Sequence, residues 1–224
     1  MQMLIKYCNK CSSKFLLIIV ILCSCINVHA QQTRHYILAQ LLQQGKLVTT
    51  PDQQTQILDD PQKHAVSSKG IVWLKDVDFK AGTIEIDLRG KDVFLQSFLG
   101  IAFHAIDTST YDVVYFRPFN FRHADTLRRK WSVQYMGIPD YDYTRLRKEH
   151  PLVYENSVTP VPNAADWFHA TIKIDKEWVT VYVDHSSEAS LKVKLLNNRS
   201  DGKIGLWSSP GSLSSDFGNI TITQ

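Results

Sequence analysis

Apolar and polar residues alternate in short runs from Ile71 to Ile222, and this pattern predicts a series of β-strands. In Thr83–Arg89 (TIEIDLR), for example, an isoleucine or a leucine occupies every second position from Ile84 to Leu88. Successive side chains of a strand point to opposite faces, so such a segment has one apolar and one polar face. The predicted strands are Ile71–Leu74, Thr83–Arg89, Val93–Gln96, Leu99–Ala105, Asp112–Arg117, Ser132–Tyr135, Trp167–Ile174, Val179–Val183, Leu191–Leu195, Gly202–Trp207 and Phe217–Ile222.

The spacing of these strands decides the fold class. Turn-forming residues separate them, and Asp175-Lys176-Glu177 between two cleanly alternating arms predicts a β-hairpin. A parallel sheet would need helical crossovers, for which the chain has no room. We therefore predict an all-β sandwich that forms one globular domain over about residues 46–224, with most of its strands in residues 69–224.

Three segments depart from the strand pattern. Gln31–Gln44 is rich in glutamine and predicts a short helix or an ordered arm, and residues 46–68 are turn-rich, with one short strand at Leu47–Val48 or at Thr55–Leu58. Gly137–Asn163 is dense in Tyr, Arg, Pro and Asp, with one predicted strand at Tyr143–Arg147. Such a connection is either a binding segment or a plain surface excursion that covers a sheet edge.

The first thirty residues have the pattern of an export signal. Three lysines precede the apolar run Phe15–Cys23, and small residues up to Ala30 predict cleavage after that residue. The apolar run is shorter than the roughly 20 residues of a membrane span. A second interpretation is a bacterial lipoprotein signal at Leu22–Cys25, with Cys25 as the lipidated residue.

Removal of this segment changes the charge and the cysteine content. All four cysteines lie within it, so a chain that begins at Gln31 has no disulfide and depends on its core for stability. The segment also holds three of the 25 basic residues and no acid, which leaves 22 basic and 22 acidic residues. A neutral chain gives no reason to expect nucleic acid or an anionic membrane as a partner.

Polar side chains concentrate on the strands between Thr83 and Asn120. If these strands are neighbours in one sheet, their polar faces form one common, partly aromatic surface, which is where we expect function. The residues predicted to meet there are Glu85, Asp87, Arg89, His104, Tyr115 and Arg117.

Arg117 and Asn120 are the most informative of the polar residues in this region. An arginine that precedes a proline at a strand end can donate a fork of hydrogen bonds to sugar hydroxyls or to a carboxylate. The alternative is that Arg117 neutralises a buried carboxylate. The acids that we consider for this role are Glu85, Asp87 and Glu155, and the residues that would complete a binding surface are Gln134, Tyr115, Trp131 and Tyr135.

The order of motifs resembles the concanavalin A-like lectin/glucanase superfamily, specifically its secreted laminin-G-like and 3-keto-disaccharide hydrolase-like domains. The motifs that carry this resemblance over Lys69–Thr223 are VDFKAGTIEIDLR (77–89), LGIAFH (99–104), YDVVYFRPFN (111–120), Gln134-Tyr135, DWFHATIKI (166–174), Val179–Val183, Gly205-Leu206-Trp207 and FGNI (217–220). The resemblance implies a jelly roll of two curved antiparallel sheets, one of which has a concave face that meets carbohydrate.

The same resemblance suggests how hydrolysis would work. Laminarinase-type relatives carry their acids as E-x-D-x-x-E or E-x-D-x-E, and Glu85-Ile86-Asp87 matches the first half, whereas Arg89 and Gly90 stand where the third acid would be. The 3-keto-disaccharide hydrolases show N-S-G-I-x-x-R, of which only Gly100 and Ile101 are present here. Glu85 and Asp87 are therefore either the catalytic acids or part of a charge ladder with an arginine.

Three functional hypotheses remain open. The first is an exported jelly-roll domain that binds carbohydrate, the second is a glycoside hydrolase that acts on a 3-keto-disaccharide or a related glycoside, and the third is a structural or adhesive domain. The chain after residue 30 has no histidine or cysteine motif for a transition metal, so no cofactor is predicted. The resemblance adds the option of a structural calcium ion at backbone oxygens near Asp216.

Overall fold

Two antiparallel β-sheets pack face to face in the computed structural model of the chain, which describes residues 31–49 and 54–224. The predicted all-β sandwich is therefore confirmed. The predicted export signal and the alternative lipid anchor at Cys25 lie outside the described residues.

The strands and helices of the described residues have the following bounds. The strands are β1 (Thr33–Tyr36), β2 (Leu47–Val48), β3 (Thr55–Ile57), β4 (Val66–Ser68), β5 (Ile71–Phe79), β6 (Gly82–Arg89), β7 (Leu99–Ala105), β8 (Tyr111–Phe116), β9 (Val133–Ile138), β10 (Glu155–Asn156), β11 (Phe168–Ile174), β12 (Trp178–Val183), β13 (Leu191–Lys194), β14 (Gly202–Ser208) and β15 (Ser215–Thr223). The helices are α1 (Leu38–Gln43), α2 (Thr126–Arg129) and α3 (Tyr143–Glu149), with a 3-10 turn at Pro118–Asn120.

Each sheet combines strands from distant parts of the chain. In sheet A the order is β13-β12-β11-β6-β15-β4-β3, and β1 also pairs with β15. In sheet B the order is β10-β9-β8-β7-β14-β5-β2. Consecutive strands β6 and β7 therefore belong to different sheets, and this separation determines where the polar residues of the two strands lie.

The core lies between the sheets and follows the predicted alternation. In the hairpin of β11 and β12, Ile172 pairs with Val181, and both side chains are fully buried. Ile172 also lies opposite Ile84 of β6, so the apolar faces of three adjacent strands form one continuous surface. The predicted hairpin and its phase are both confirmed.

Two of the predicted strands are wrong. The segment 93–96 forms a turn, in which the Gln96 amide donates to the Val93 carbonyl oxygen at 3.1 Å and Leu95 has a left-handed φ of 58°. The segment 143–147 lies in α3, because the Asp142 side chain caps the helix by accepting a hydrogen bond from the Arg145 amide at 2.8 Å. Both segments form part of the walls of the cavity described below.

Residues 31–68 contribute directly to the two sheets. The first of them form β1, which pairs with the end of β15, and α1 follows it. Leu38 of α1 is fully buried in the main core, and both of the alternative short strands predicted before residue 69 are present as β2 and β3. The predicted arm is thus packed as part of the sandwich.

Candidate functional site

The residues predicted to meet on one surface lie in three separate places. Glu85, Asp87 and Arg89 project from β6 on the outer face of sheet A, whereas Tyr115 and Arg117 lie on the outer face of sheet B. His104 lies in a third position, at one end of the interior. The prediction of a common surface is therefore wrong, because it assumed that consecutive strands are neighbours in one sheet.

On sheet A, Asp87 is at the centre of a small charged cluster. Its carboxylate lies 2.9 Å from the His169 Nδ1 atom and 2.9 Å from the Lys63 Nζ atom. Burial raises the pKa of Asp87, but the hydrogen bonds from His169 and Lys63 outweigh this effect, so the pKa is lowered overall. Glu85 lies 3.8 Å from the other ring nitrogen of His169 and is more exposed. This arrangement has the features of a charge ladder across the sheet.

Arg89 makes its contact at the buried carboxylate of Asp216. The Arg89 Nε atom lies 2.9 Å from an oxygen of Asp216, and the Lys91 Nζ atom lies 3.6 Å from the same oxygen. Two cations therefore already neutralise this carboxylate. The described residues contain no cluster of three or more His, Cys, Asp or Glu side chains arranged to hold a metal. Because Arg89 and Lys91 already neutralise it, the Asp216 carboxylate does not suit a calcium ion.

His104 leaves the predicted face because β7 contains a bulge. The register with β14 shifts by one residue at this point, and His104 has a left-handed φ of 49°. Its Nδ1 atom lies 3.3 Å from the fully buried Asp112, which also accepts hydrogen bonds from Tyr135 and Arg199. Burial and the neighbouring carboxylate of Asp112 raise the pKa of Tyr135. His104 and Tyr135 thus belong to a buried structural network.

The outer face of sheet B carries a cavity of about 540 Å³. Its floor is formed by side chains of β8, β9 and β14, and its walls come from the loop between β6 and β7, the 3-10 turn, α2 and α3. Half of the lining residues are aromatic, and the polar part consists of guanidinium, amide and hydroxyl groups. The lining residues are Phe94, Leu95, Phe98, Tyr115, Arg117, Phe119, Asn120, Arg128, Trp131, Met136, Tyr143, Arg147, Trp207 and Ser209.

A buried hydrogen-bond network forms one side of this cavity. Arg117 donates through Nη2 to the Tyr115 hydroxyl and to the Gln134 side-chain oxygen. The Tyr115 hydroxyl also donates to that oxygen, at 2.6 Å. Burial raises the pKa of Tyr115 to about 12 and lowers that of Arg117. Tyr115 is therefore neutral at physiological pH.

Asn120 has an acceptor atom with no partner. Its side-chain nitrogen donates to the Trp131 carbonyl oxygen at 3.2 Å, and the same oxygen accepts from Arg117 at 2.7 Å. This bond fixes the orientation of the Asn120 amide group. The Asn120 Oδ1 atom is buried and makes no hydrogen bond within the part of the chain that the structure describes. Buried polar atoms normally have a hydrogen-bond partner, so Asn120, which lines the cavity, carries an unmet acceptor.

Arg117 also lies near a buried carboxylate, which is one of the two predicted alternatives. The Glu155 carboxylate is 3.6 Å from the Arg117 Nη1 atom and 3.1 Å from the Arg147 Nη2 atom. Arg147 in turn lies over the Trp131 ring, with 4.2 Å between the guanidinium carbon and the ring centroid. Of the three acids considered for Arg117, the structure selects Glu155.

Several residues of the cavity were not among the predicted site residues, namely Phe94, Phe98, Arg128, Tyr143, Arg147 and Trp207. The density of Tyr and Arg between Gly137 and Asn163 was a usable signal, because this segment supplies two of the lining residues as well as Glu155. Loop composition alone gave no indication of which sheet the segment would cover.

The chain is similar to known proteins in structure only. No protein-family model and no curated protein sequence matches it. A structure from Parabacteroides distasonis, provisionally described as a glycosyl hydrolase, has a TM-score of 0.54 and 13% identity, covering 80% of this chain and 93% of its own. This similarity and the two antiparallel sheets agree with the jelly-roll fold predicted from the sequence.

Two further structures have lower scores. A Bacillus subtilis protein of unknown function with a galectin-like fold has a TM-score of 0.49 and 13% identity, covering 77% of this chain and 89% of its own. The carbohydrate-binding module CBM66 of Bacillus subtilis has a TM-score of 0.46 and 13% identity, covering 77% of this chain and 91% of its own. In residues 31–49 and 54–224, no helix has the length and apolar character needed to cross a bilayer.

Proposed function

We propose that this chain is an exported jelly-roll domain that binds carbohydrate in the cavity of sheet B. The observation that carries the proposal is the combination of aromatic side chains with fixed polar groups in a cavity of about 540 Å³. Cavities of this size that combine apolar walls with a few oriented polar groups are typical of small-molecule sites. The expectation of carbohydrate from the sequence motifs agrees with this chemistry.

A sugar ring suits both parts of the lining. One side of the ring is formed by C–H groups, which pack on aromatic rings of the lining that remain exposed, such as those of Phe94 and Tyr143. Its hydroxyl groups can both donate and accept hydrogen bonds. The unpartnered Asn120 Oδ1 atom can accept a bond from one hydroxyl, and Arg147 can donate to another.

Binding without hydrolysis fits the cavity better than catalysis. Glycosidases use two carboxyl groups on either side of the scissile bond. The lining residues include no Asp or Glu, and the nearby Glu155 is held by two arginines. Glu85 and Asp87 lie on sheet A, on the opposite side of the sandwich. The Asp87 carboxylate there is already in contact with His169 and Lys63.

Export is part of the proposal and has its own test. The three lysines and the apolar run before Ala30 support cleavage after that residue. The intact mass of the exported protein should then correspond to a chain that begins at Gln31. A lipid-modified Cys25 at the first position would instead indicate a membrane-anchored lipoprotein.

The binding test uses the purified exported protein on a glycan array, followed by incubation with each glycan that binds. We expect binding without release of product. Asn120→Ala should reduce the affinity about tenfold, because one hydrogen bond to a buried group is lost. Asn163→Ala is the matched control, since this asparagine is exposed and bonds only to Asp166 within the described residues.

The other hypotheses predict different results in the same experiment. Turnover of a bound glycan would favour a glycoside hydrolase, and Glu85→Gln and Asp87→Asn would then show whether the acids on sheet A are responsible. The absence of binding to any glycan would favour a structural or adhesive domain. Equal losses in Asn120→Ala and Asn163→Ala would argue against the cavity as the binding site.

A further inference from the structure

The charged residues that line the cavity of sheet B are all cationic. Arg117, Arg128 and Arg147 contribute guanidinium groups, and the lining includes no acid. Arg128 has a weak, solvent-exposed contact with Asp125 at 3.9 Å, and its guanidinium group lies over the Phe94 ring. The cavity therefore carries an excess of positive charge.

Glu155 compensates only part of this charge. Among the residues that the structure describes, it is the one carboxylate within 4 Å of Arg117, and it is shared with Arg147 at 3.1 Å. Both Arg117 and Glu155 are almost completely buried. Arg117 and Glu155 are thus shielded from water next to a second, partly exposed cation, and an anionic ligand would reduce the repulsion between the two arginines.

Arg147 is placed to receive such a ligand. Its Nε and Nη2 atoms donate to Glu155, and its Nη1 atom makes no hydrogen bond within the described part of the chain. The stacking on Trp131 at 4.2 Å holds the guanidinium plane, while about a third of the side chain remains exposed. A planar donor that is already oriented suits a carboxylate or a sulfate group.

We propose that the cavity selects glycans that carry an acidic group, either the carboxylate of a uronic acid or a sulfate ester, with this group held at Arg147. This inference rests on the proposed function, because it specifies the class of sugar that the same site binds. The sugar ring packs on the aromatic lining, and the acidic substituent lies at the cationic wall formed by Arg117 and Arg147.

The test compares matched ligands on the purified exported protein by calorimetric titration. The probes are oligomers of galacturonic, glucuronic and mannuronic acid, the carboxyl-reduced neutral form of each, and a sulfated form of each neutral oligomer. We expect at least one acidic oligomer to bind ten times more tightly than its neutral form. Added salt should reduce this preference, since it depends on charge.

Substitutions in α3 connect the preference to one residue. Arg147→Gln should bring the ratio of acidic to neutral affinity close to one, and Arg147→Lys should leave an intermediate ratio because it keeps the charge but loses the guanidinium plane that orients Nη1. Arg145→Gln is the control, since Arg145 lies in the same helix, is exposed, and pairs with Glu149 outside the cavity. The ratio should not change in this variant.

The outcomes separate the two proposals. Neutral oligomers that bind as tightly as their acidic forms would overturn the inference and leave the proposed function intact. The absence of binding to every probe and to the glycan array would overturn both. If Arg147→Gln does not fold, the ratio of acidic to neutral affinity is compared between the unsubstituted protein and Arg147→Lys. This comparison still tests whether Arg147 holds the acidic group. If the preference for acidic oligomers is unchanged in Arg147→Lys and is lost in Arg145→Gln, then Arg147 is not the residue that binds the acidic group.

Discussion

Arg117 combines a position in the cavity wall with a place in the buried network, and its predicted role in binding remains a prediction. It lines the cavity, and it also holds the Tyr115 hydroxyl, the Gln134 oxygen and the Trp131 carbonyl oxygen in place. Its contact with Glu155 is longer, at 3.6 Å, than the contact that Arg147 makes with the same carboxylate. A substitution at this position therefore affects stability and binding together.

Arg117→Ala should reduce the free energy of unfolding by about 3 kcal/mol, at the lower end of the range for a broken buried ion pair, because Glu155 retains Arg147. Chemical denaturation measures this change. The double variant Arg117→Ala/Glu155→Gln should recover part of the loss, since it removes the buried charge. A loss below about 0.5 kcal/mol, as at ordinary surface sites, would contradict the role of Arg117 in the buried network.

Asp87 gives a prediction that depends on pH. Its pKa is lower in the folded chain than in the unfolded chain, because the bonds from His169 and Lys63 outweigh the effect of burial. The stabilisation is therefore complete above the unfolded value of about 4 and is lost as the pH falls below it. Asp87→Asn should destabilise the protein by about 0.5–1 kcal/mol at pH 7, the scale of a partly exposed ion pair.

Denaturation curves of both proteins between pH 7 and pH 2 check this prediction. The difference between them should shrink as the pH falls below about 4. Glu85→Gln is the control, because Glu85 lies on the same face of β6 and its carboxylate has only a long contact with His169, at 3.8 Å. A constant difference over the whole pH range would show that the loss in Asp87→Asn does not come from its carboxylate charge.

At the scale of elements, the hairpin of β11 and β12 allows a direct test of strand phase. Ile172→Ala should cost about 2–5 kcal/mol, because the side chain is fully buried between Ile84 and Val181. Thr171→Ala, one residue earlier on the partly exposed outer face, should change the free energy of unfolding by less than about 0.5 kcal/mol. Similar losses in the two variants would mean that the core is not where the alternation places it.

The alternation of apolar and polar residues predicted these strands well, because the polarity of each residue indicates whether its side chain faces the core or the solvent. The same reasoning failed at Val93–Gln96, where three apolar residues in sequence resemble a strand but Leu95 adopts a left-handed conformation. It also failed at His104, because a bulge in β7 reverses the phase of the last residues. Turns and bulges of this kind depend on neighbouring strands that the local sequence does not identify.

The position of the site depended on information that alternation does not contain. The pattern assigns residues to faces but not strands to sheets, so Glu85 and Arg117 could not be separated from the sequence. Of the predicted site residues, Arg117, Tyr115, Asn120 and Gln134 do lie together, because they are on the adjacent strands β8 and β9 or just after β8. Arg147 comes from a distant helix, and only the folded chain brings it next to Glu155.

At the scale of the whole molecule, the two outer faces of the sandwich have different chemistry. Sheet A carries partly buried polar and charged groups that pair with each other, as in the cluster of Asp87, His169 and Lys63. Sheet B is covered by loops and short helices, which enclose an aromatic cavity with a buried polar wall. A covered sheet with an aromatic cavity and a few oriented polar groups is the side on which a ligand is expected.

The boundary of the folded domain provides the last prediction. The sequence placed it near residue 46, but β1 pairs with the end of β15, and Leu38 is fully buried in the main core. A chain that begins at Lys46 would lose both contacts. Removal of one fully buried leucine costs about 1.5–3 kcal/mol, and each kcal/mol lowers the melting temperature of a domain of this size by about 2–4 °C.

We therefore expect a chain that begins at Lys46 to melt at least about 5 °C below one that begins at Gln31. It should also aggregate more readily, because the edge of β15 that β1 covers becomes available to other chains. Leu38→Ala in the longer chain separates the two effects, since it removes the buried side chain and leaves β1 paired. Its melting temperature should fall without increased aggregation. Equal melting temperatures for the two chain lengths would show that residues 31–45 are dispensable and would support the boundary near residue 46.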